Sequence, residues 1–294
     1  MNDGFEYRAI VGPEAAGRTV LEHLASRYRH SGEDVWRERI AGGQVRLGEA
    51  TATAADRLRP GQSLVWRRPP WEEPSAPLAF AVLHRDEHVL AVAKPRGLPT
   101  LPNGGFLNHT LLHLVRRLVP EAVPLHRLGR GTSGLVLFAR TDAARRTLSR
   151  AWRDGGVQKT YRALVSGAPD RAAFSIEVPI GRVPHPRLGH VHAAAEGGKR
   201  AVSHVKVLAC REGATLVEVT IPTGRPHQIR IHLASAGHPL VGDPLYGVGG
   251  VPTAEPGLPG DLGYWLHAHR LSFAHPVTAA PLAIECEPAP ILRP

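Results

Sequence analysis

Three glycines and two arginines punctuate His126-Arg-Leu-Gly-Arg-Gly-Thr-Ser-Gly134, a stretch that runs directly into Leu135-Val-Leu-Phe138. Gly129, Gly131 and Gly134 satisfy the Gly-x-Gly-x-x-Gly spacing that lets a dinucleotide pyrophosphate approach backbone N–H groups at the start of a helix. That chemistry needs a helix after the last glycine. Here a short apolar run with a branched and an aromatic residue follows, which reads as a buried strand, and helical spacing resumes only after Thr141. No acid stands about twenty positions further on to take a ribose hydroxyl. Dinucleotide chemistry is set aside, and a basic loop able to grip phosphate remains.

The charge around this loop supports a polyanionic partner. Between Leu125 and Arg162 there are nine Lys or Arg and two acids, in a chain of 294 residues with net charge +10. Each neutralised phosphate would release counterions, so nucleic acid is the favoured partner. No apolar stretch approaches the ~18 residues of a membrane span, and Met1-Asn-Asp-Gly-Phe-Glu-Tyr7 has neither the basic flank nor the apolar core of a signal peptide. Two cysteines, Cys210 and Cys286, make neither a disulfide framework nor a zinc site by themselves, which fits a reducing cytoplasm. Seventeen histidines include no His-Glu-x-x-His, and His185, His190 and His192 lie in a Pro/Gly-rich segment read as a mobile hairpin facing RNA. No metal is expected.

Certain elements must position the loop. Residues 1–68 read as a small basic module, with helical spacing at Val20, Leu21, Leu24 and Ala25 and a turn and strand over Leu58–Trp66. From Gly17 to Trp71 it holds ten Arg against six acids and looks like the RNA-binding module of ribosomal protein S-four. Residues 69–77 carry four prolines and suit an extended linker. The rest, 78–294, is strand-rich: Val89–Ala93, Leu135–Ala139, Tyr161–Val165, Ser203–Leu208, Leu216–Ile221 and His269–Phe273. Helices are expected over Thr110–Leu118, Thr141–Trp152 and Pro226–Ala236. Many strands with few helices predict an α+β domain on a mixed, largely antiparallel sheet.

Four blocks occur in order: Lys94-Pro-Arg-Gly-Leu-Pro-Thr-Leu101, His126 to Gly134, Lys159-Thr-Tyr-Arg-Ala-Leu-Val-Ser-Gly167, and Thr223-Gly-Arg-Pro-His-Gln-Ile-Arg-Ile-His-Leu233. Gly237 to Gly247 and Leu266 to Pro276 complete the series, which resembles the RluA-type pseudouridine synthases from about Ala79 onward. The resemblance implies an isomerase that converts uridine to pseudouridine in structured RNA, ribosomal or transfer, without cofactor, on a nucleotide drawn from its stack; a monomer is the default expectation. On the family pattern Arg127 fills the space of the flipped nucleotide, Tyr161 stacks on uracil and helps proton removal at C5, Arg230 pairs with the catalytic aspartate, and Leu233 walls the pocket. His126, Arg130 and Lys94 are expected on the RNA. The family's aspartate position is Gly129 here, and glycine can act neither as nucleophile nor as base. Asp243 matches a segment read as structural. Arg230 is therefore expected to need another anion: RNA phosphate, a buffer anion, or a carboxylate brought in by the fold. The alternative implied by Gly129 is a catalytically silent relative that binds or remodels RNA.

Overall fold

The computed structural model describes residues 1–28 and 30–294 and divides the chain into two compact units, Met1–Glu73 and Pro74–Pro294. In the first, the helices Val20–Arg27 and Glu33–Ala41 accompany a four-stranded sheet ordered Phe5–Ile10, Ser63–Arg68, Val45–Leu47, Ala50–Thr51. Thr19 and Glu22 form a reciprocal capping box on the first helix. Val20, Leu24, Trp36, Ile40, Leu58 and Trp66 are among the residues closing its core. This unit extends beyond the expected boundary. Asn2 donates to the Glu73 carboxylate at 3.0 Å and to the Trp71 carbonyl through its backbone, while the Arg68 guanidinium lies 3.5 Å from the Trp71 ring centroid. Half of the proline-rich segment is thereby folded into the module.

The second unit is α+β. Its sheet has ten strands, and the main path runs Ala173–Ile176, Ser203–Arg211, Ala214–Thr220, Gln158–Ser166, Leu266–Ala274, Ser133–Ala139, Val89–Lys94, Ala81–Arg85. One pairing on it, Leu266–Ala274 with Ser133–Ala139, is parallel; the others are antiparallel. The central strands are apolar on both faces because both are covered. Leu90, Val92, Val136, Phe138, Ala163 and Val165 enter the larger core, whereas Val89, Ala91, Leu135 and Leu137 enter a second one on the opposite side of the sheet. Helices Leu111–Leu118 and Asp142–Arg153 begin on side-chain caps, Thr110 accepting from His113 N–H and Thr141 from Ala144 N–H. The hairpin Ile180–His185/Gly189–Ala194 forms its own two-stranded sheet. Among the described residues no helix is long and apolar enough to cross a membrane.

The histidine segment departs from its expectation. It is a hairpin, but His185 is buried, donates through Nε2 to the Gly257 carbonyl at 3.2 Å, and accepts the Arg187 and Leu188 N–H groups at Nδ1. It pins the turn to the body of the unit instead of leaving it mobile.

Candidate functional site

The glycine-rich loop ends beside Tyr161 because of the parallel pairing. Lys94 is opposite Gly134, Gly134 opposite Ala268, and Ala268 opposite Tyr161, giving one row across four strands. Directly paired residues share a face, and strands lie about 4.8 Å apart, so Gly134 and Tyr161 stand roughly 10 Å from one another on one face. Gly134 has φ +109°, and a Cβ there would collide with the Ala268 backbone, so this close approach requires glycine. Ser133 and His267 lock the junction. The His267 Nε2–H donates to the Cys286 carbonyl at 3.0 Å, which leaves Nδ1 to accept from the Ser133 hydroxyl at 2.9 Å.

The last block supplies a buried guanidinium. Helix Gln228–Ser235 starts at His227, which holds the left-handed φ of +54°. The Gln228 amide fixes this start by donating to the Val202 carbonyl and Ser203 hydroxyl while accepting from Thr223 and the Arg225 N–H. Arg230 projects against the Tyr264 ring, 4.2 Å from guanidinium carbon to centroid, and the Tyr246 ring at 5.0 Å. Its Nε and Nη2 donate to Asp243 Oδ2 and Oδ1 at 2.7 and 2.6 Å, and Nη1 donates to the Pro259 carbonyl at 3.2 Å. The two side chains are 2% and 1% exposed. Burial alone would lower the Arg230 pKa; the hydrogen-bonded Asp243 carboxylate, with the Tyr264 phenol beside it, outweighs burial and raises it. The counter-charge of Arg230 thus comes from Asp243, thirteen residues along the chain. No external anion is required. Asp243 also accepts the Leu245 and Tyr246 N–H groups, so it shapes its own turn.

His227 and Tyr246 complete this cluster. The Tyr246 hydroxyl donates to the His192 carbonyl at 2.6 Å, leaving its oxygen to accept the His227 Nδ1–H at 2.7 Å. Burial, then the charge of Arg230, pushes the His227 pKa down to about 3, with a smaller contribution from Arg127. The loop bearing Arg127 therefore lies within electrostatic reach of the helix start.

Other expected residues fall into three groups. Tyr161, Leu128, Leu233 and Tyr264 belong to one cluster of buried residues, with Tyr161 9% and Leu233 1% exposed. Burial pushes the Tyr161 phenol up to about 12, so it is neutral near pH 7, and its hydroxyl has no hydrogen bond among the described residues. Arg127 is exposed and Arg130 half-buried, its Nε donating to the Gly97 carbonyl and its guanidinium 5.0 Å from the Phe106 centroid. Lys94 and His126 are placed otherwise than an RNA contact requires. Lys94 is 1% exposed and donates to the Pro95 and Leu98 carbonyls at 3.0 and 2.7 Å, so no phosphate reaches it, and burial pushes its pKa down to about 7. The His126 ring stacks on Trp152 at 4.5 Å, and its Nε2 accepts the Leu137 N–H at 3.0 Å. Asp243, Tyr246, His227 and Tyr264 were not singled out as site residues; the segment Gly237–Gly247 was the available signal for two of them.

A family model described as RNA pseudouridylate synthase matches residues 88–235. The chain is 46% identical over 259 residues to an uncharacterised RNA pseudouridine synthase of Synechocystis, covering 87% of this chain and 89% of that protein. It is 38% identical to RNA pseudouridine synthase 5 of Arabidopsis thaliana, over 92% of this chain and 89% of the other. Ribosomal large subunit pseudouridine synthase D of Neisseria meningitidis is 36% identical, over 92% of this chain and 75% of its own length. Among solved structures, human RNA pseudouridylate synthase domain containing 1 superposes with a TM-score of 0.58 at 25% identity, over 75% of this chain and 88% of that one. With the four blocks converging on a buried tyrosine, a paired arginine and the loop between them, the chain belongs to the RNA pseudouridylate synthase family.

Proposed function

We propose that this protein isomerises uridine to pseudouridine in structured RNA, ribosomal or transfer, acting as a monomer in the cytoplasm. The observation that carries this reading is the row Lys94–Gly134–Ala268–Tyr161, which sets the basic loop beside the phenol while Arg230 is held charged by Asp243. A protein that only gripped phosphate would have no use for a neutral phenol and a buried guanidinium at one loop. The reaction moves the ribose bond from N1 to C5 of the same base without net oxidation, so its chemistry calls for neither metal nor redox cofactor. Arg127, exposed on the loop, fits insertion into a stack from which a nucleotide has been drawn. The Tyr161 ring offers a stacking face, and its neutral hydroxyl a hydrogen-bonding tip near C5.

One feature favours a second reading, a silent RNA-binding relative: the basic loop carries a glycine and no acid at position 129. The experiment that separates the two is release of the C5 hydrogen from uridine-labelled ribosomal and transfer RNA. Turnover by the native protein supports the isomerase. Binding without turnover, with activity appearing only in Gly129→Asp, establishes the silent relative.

A further inference from the structure

Leu128 stands between the exposed residues Arg127 and Gly129 and is itself 7% exposed. A buried residue must find partners for both of its backbone polar groups. Leu128 finds them in a single atom. The Thr100 hydroxyl donates to the Leu128 carbonyl at 2.9 Å and accepts the Leu128 N–H at 3.2 Å. A hydroxyl has a proton to give and lone pairs to receive, so it can play both roles at once. Thr100 is 3% exposed, and its own carbonyl accepts the Leu112 N–H at 3.0 Å, in the first turn of helix Leu111–Leu118. Pro99 likewise accepts the Leu111 N–H at 2.8 Å, so the hydroxyl is based on a helix end. A second tie holds the other side of Gly129. The Gly97 N–H donates to the Arg130 carbonyl at 2.8 Å, and Arg130 Nε returns a bond to the Gly97 carbonyl at 3.2 Å.

We propose that Thr100 is a positioning residue for uridine isomerisation, its hydroxyl fixing the Leu128 backbone and thereby the direction of Arg127; the proposal rests on the uridine-isomerase reading. The Arg127 guanidinium has no hydrogen bond or ion pair among the described residues, so its aim is set by the backbone that carries it. Leu128 also shares a buried cluster with Tyr161, so a shift of Leu128 is felt on the phenol side as well. Without the hydroxyl, the Leu128 N–H and carbonyl lose their partners where water does not reach, and the loop gains by turning outward to solvate them. Arg127 then keeps its charge and loses its aim. Phosphate is still gripped, but insertion into a base stack fails.

The test compares Thr100→Val, which keeps the shape and removes the hydroxyl, with Thr100→Ser, which keeps the hydroxyl and removes the methyl. C5-hydrogen release should fall about 100-fold in kcat for Thr100→Val, the effect of a misplacement of about 1 Å, with RNA affinity and its salt slope within about threefold and one-half unit of native. Thr100→Ser should restore kcat to within about threefold of native, which a role for the methyl in packing would not do. A second readout needs no turnover. Trypsin cleavage of the full chain after Arg127, followed by mass spectrometry, should be at least about tenfold faster in Thr100→Val and unchanged in Thr100→Ser. Native kcat in Thr100→Val, equal losses in the two variants, or a loss of affinity with kcat unchanged each overturn the assignment and leave the isomerase reading intact. A native protein that releases no C5 hydrogen from any RNA overturns that reading, and cleavage alone then decides whether Thr100 holds the loop. If Thr100→Val does not fold, Thr100→Cys replaces it, since a thiol is weak as both donor and acceptor, and the expected loss in kcat is about tenfold.

Discussion

Replacing Asp243 with asparagine keeps the shape of the side chain and an oxygen for the Leu245 and Tyr246 N–H groups, but removes the charge opposite Arg230. Both side chains are nearly inaccessible, so water cannot take over the neutralisation. Removing one partner of a buried pair costs about 3–5 kcal/mol, because the other charge stays buried without compensation. Total stabilities are typically about 5–15 kcal/mol, so the loss would be a large share. For a unit of this size, 1 kcal/mol shifts the melting temperature by about 2–4 °C, and Asp243→Asn is expected to melt roughly 6–20 °C below the native protein. The assay is chemical denaturation of Asp243→Asn, Arg230→Met and the double variant. The two single losses should exceed the double loss by at least about 2 kcal/mol, since removing both charges relieves the unpaired one. Additivity within about 0.5 kcal/mol would refute the claim that Asp243 is the counter-charge of Arg230.

The other predictions concern protons and RNA. Lys94, one of four lysines, should titrate near pH 7 in a lysine side-chain carbon NMR experiment, where a solvated lysine titrates near 10.5. Its folded pKa lies below its unfolded one, so the unfolded chain holds the extra proton between about 7 and 10.5; stability should rise with pH across that window and flatten in Lys94→Met. His126 is pushed from 6.5 down to about 3 by burial first and the Lys159 charge second, so its contribution is complete above pH 6.5 and declines as pH falls toward 3. At pH 5 the loss should reach about 2 kcal/mol, measured by denaturation at constant salt, and His126→Gln should largely remove it. Arg127→Ala should leave melting unchanged, weaken RNA binding, and reduce the slope of log affinity against log salt by about one; an unaltered slope would take Arg127 off the phosphate backbone.

The central strands and the helix caps were legible because their signals are local. Leu135–Ala139 is an unbroken apolar run, and Thr110 and Thr141 are hydroxyl caps at helix starts where the spacing turns helical. Edge strands were not. Ala81–Arg85 mixes His84 and Arg85 with an exposed Val82, so it shows no clean alternation. At the site, the loop, Tyr161 and Arg230 could be read from their blocks. Asp243 could not be assigned to Arg230, because a turn outside the helix carries it back to the guanidinium. Tyr264 sits in Gly-Tyr-Trp between two blocks, and only the fold shows that it lies under Gly129 and Gly131. Lys94 misleads for a different reason: a cation in a basic chain reads as surface, whereas the turn over residues 95–98 folds two carbonyls around it.

The parallel pairing has a consequence for the order in which the molecule can assemble. Ser133 meets His267 across a separation of 134 residues, so the loop acquires its neighbour only after Leu266–Ala274 has been made. Contacts so distant in sequence close late and slowly. A nascent chain halted before Leu266 would carry the arginine-bearing loop without the strand that aligns it.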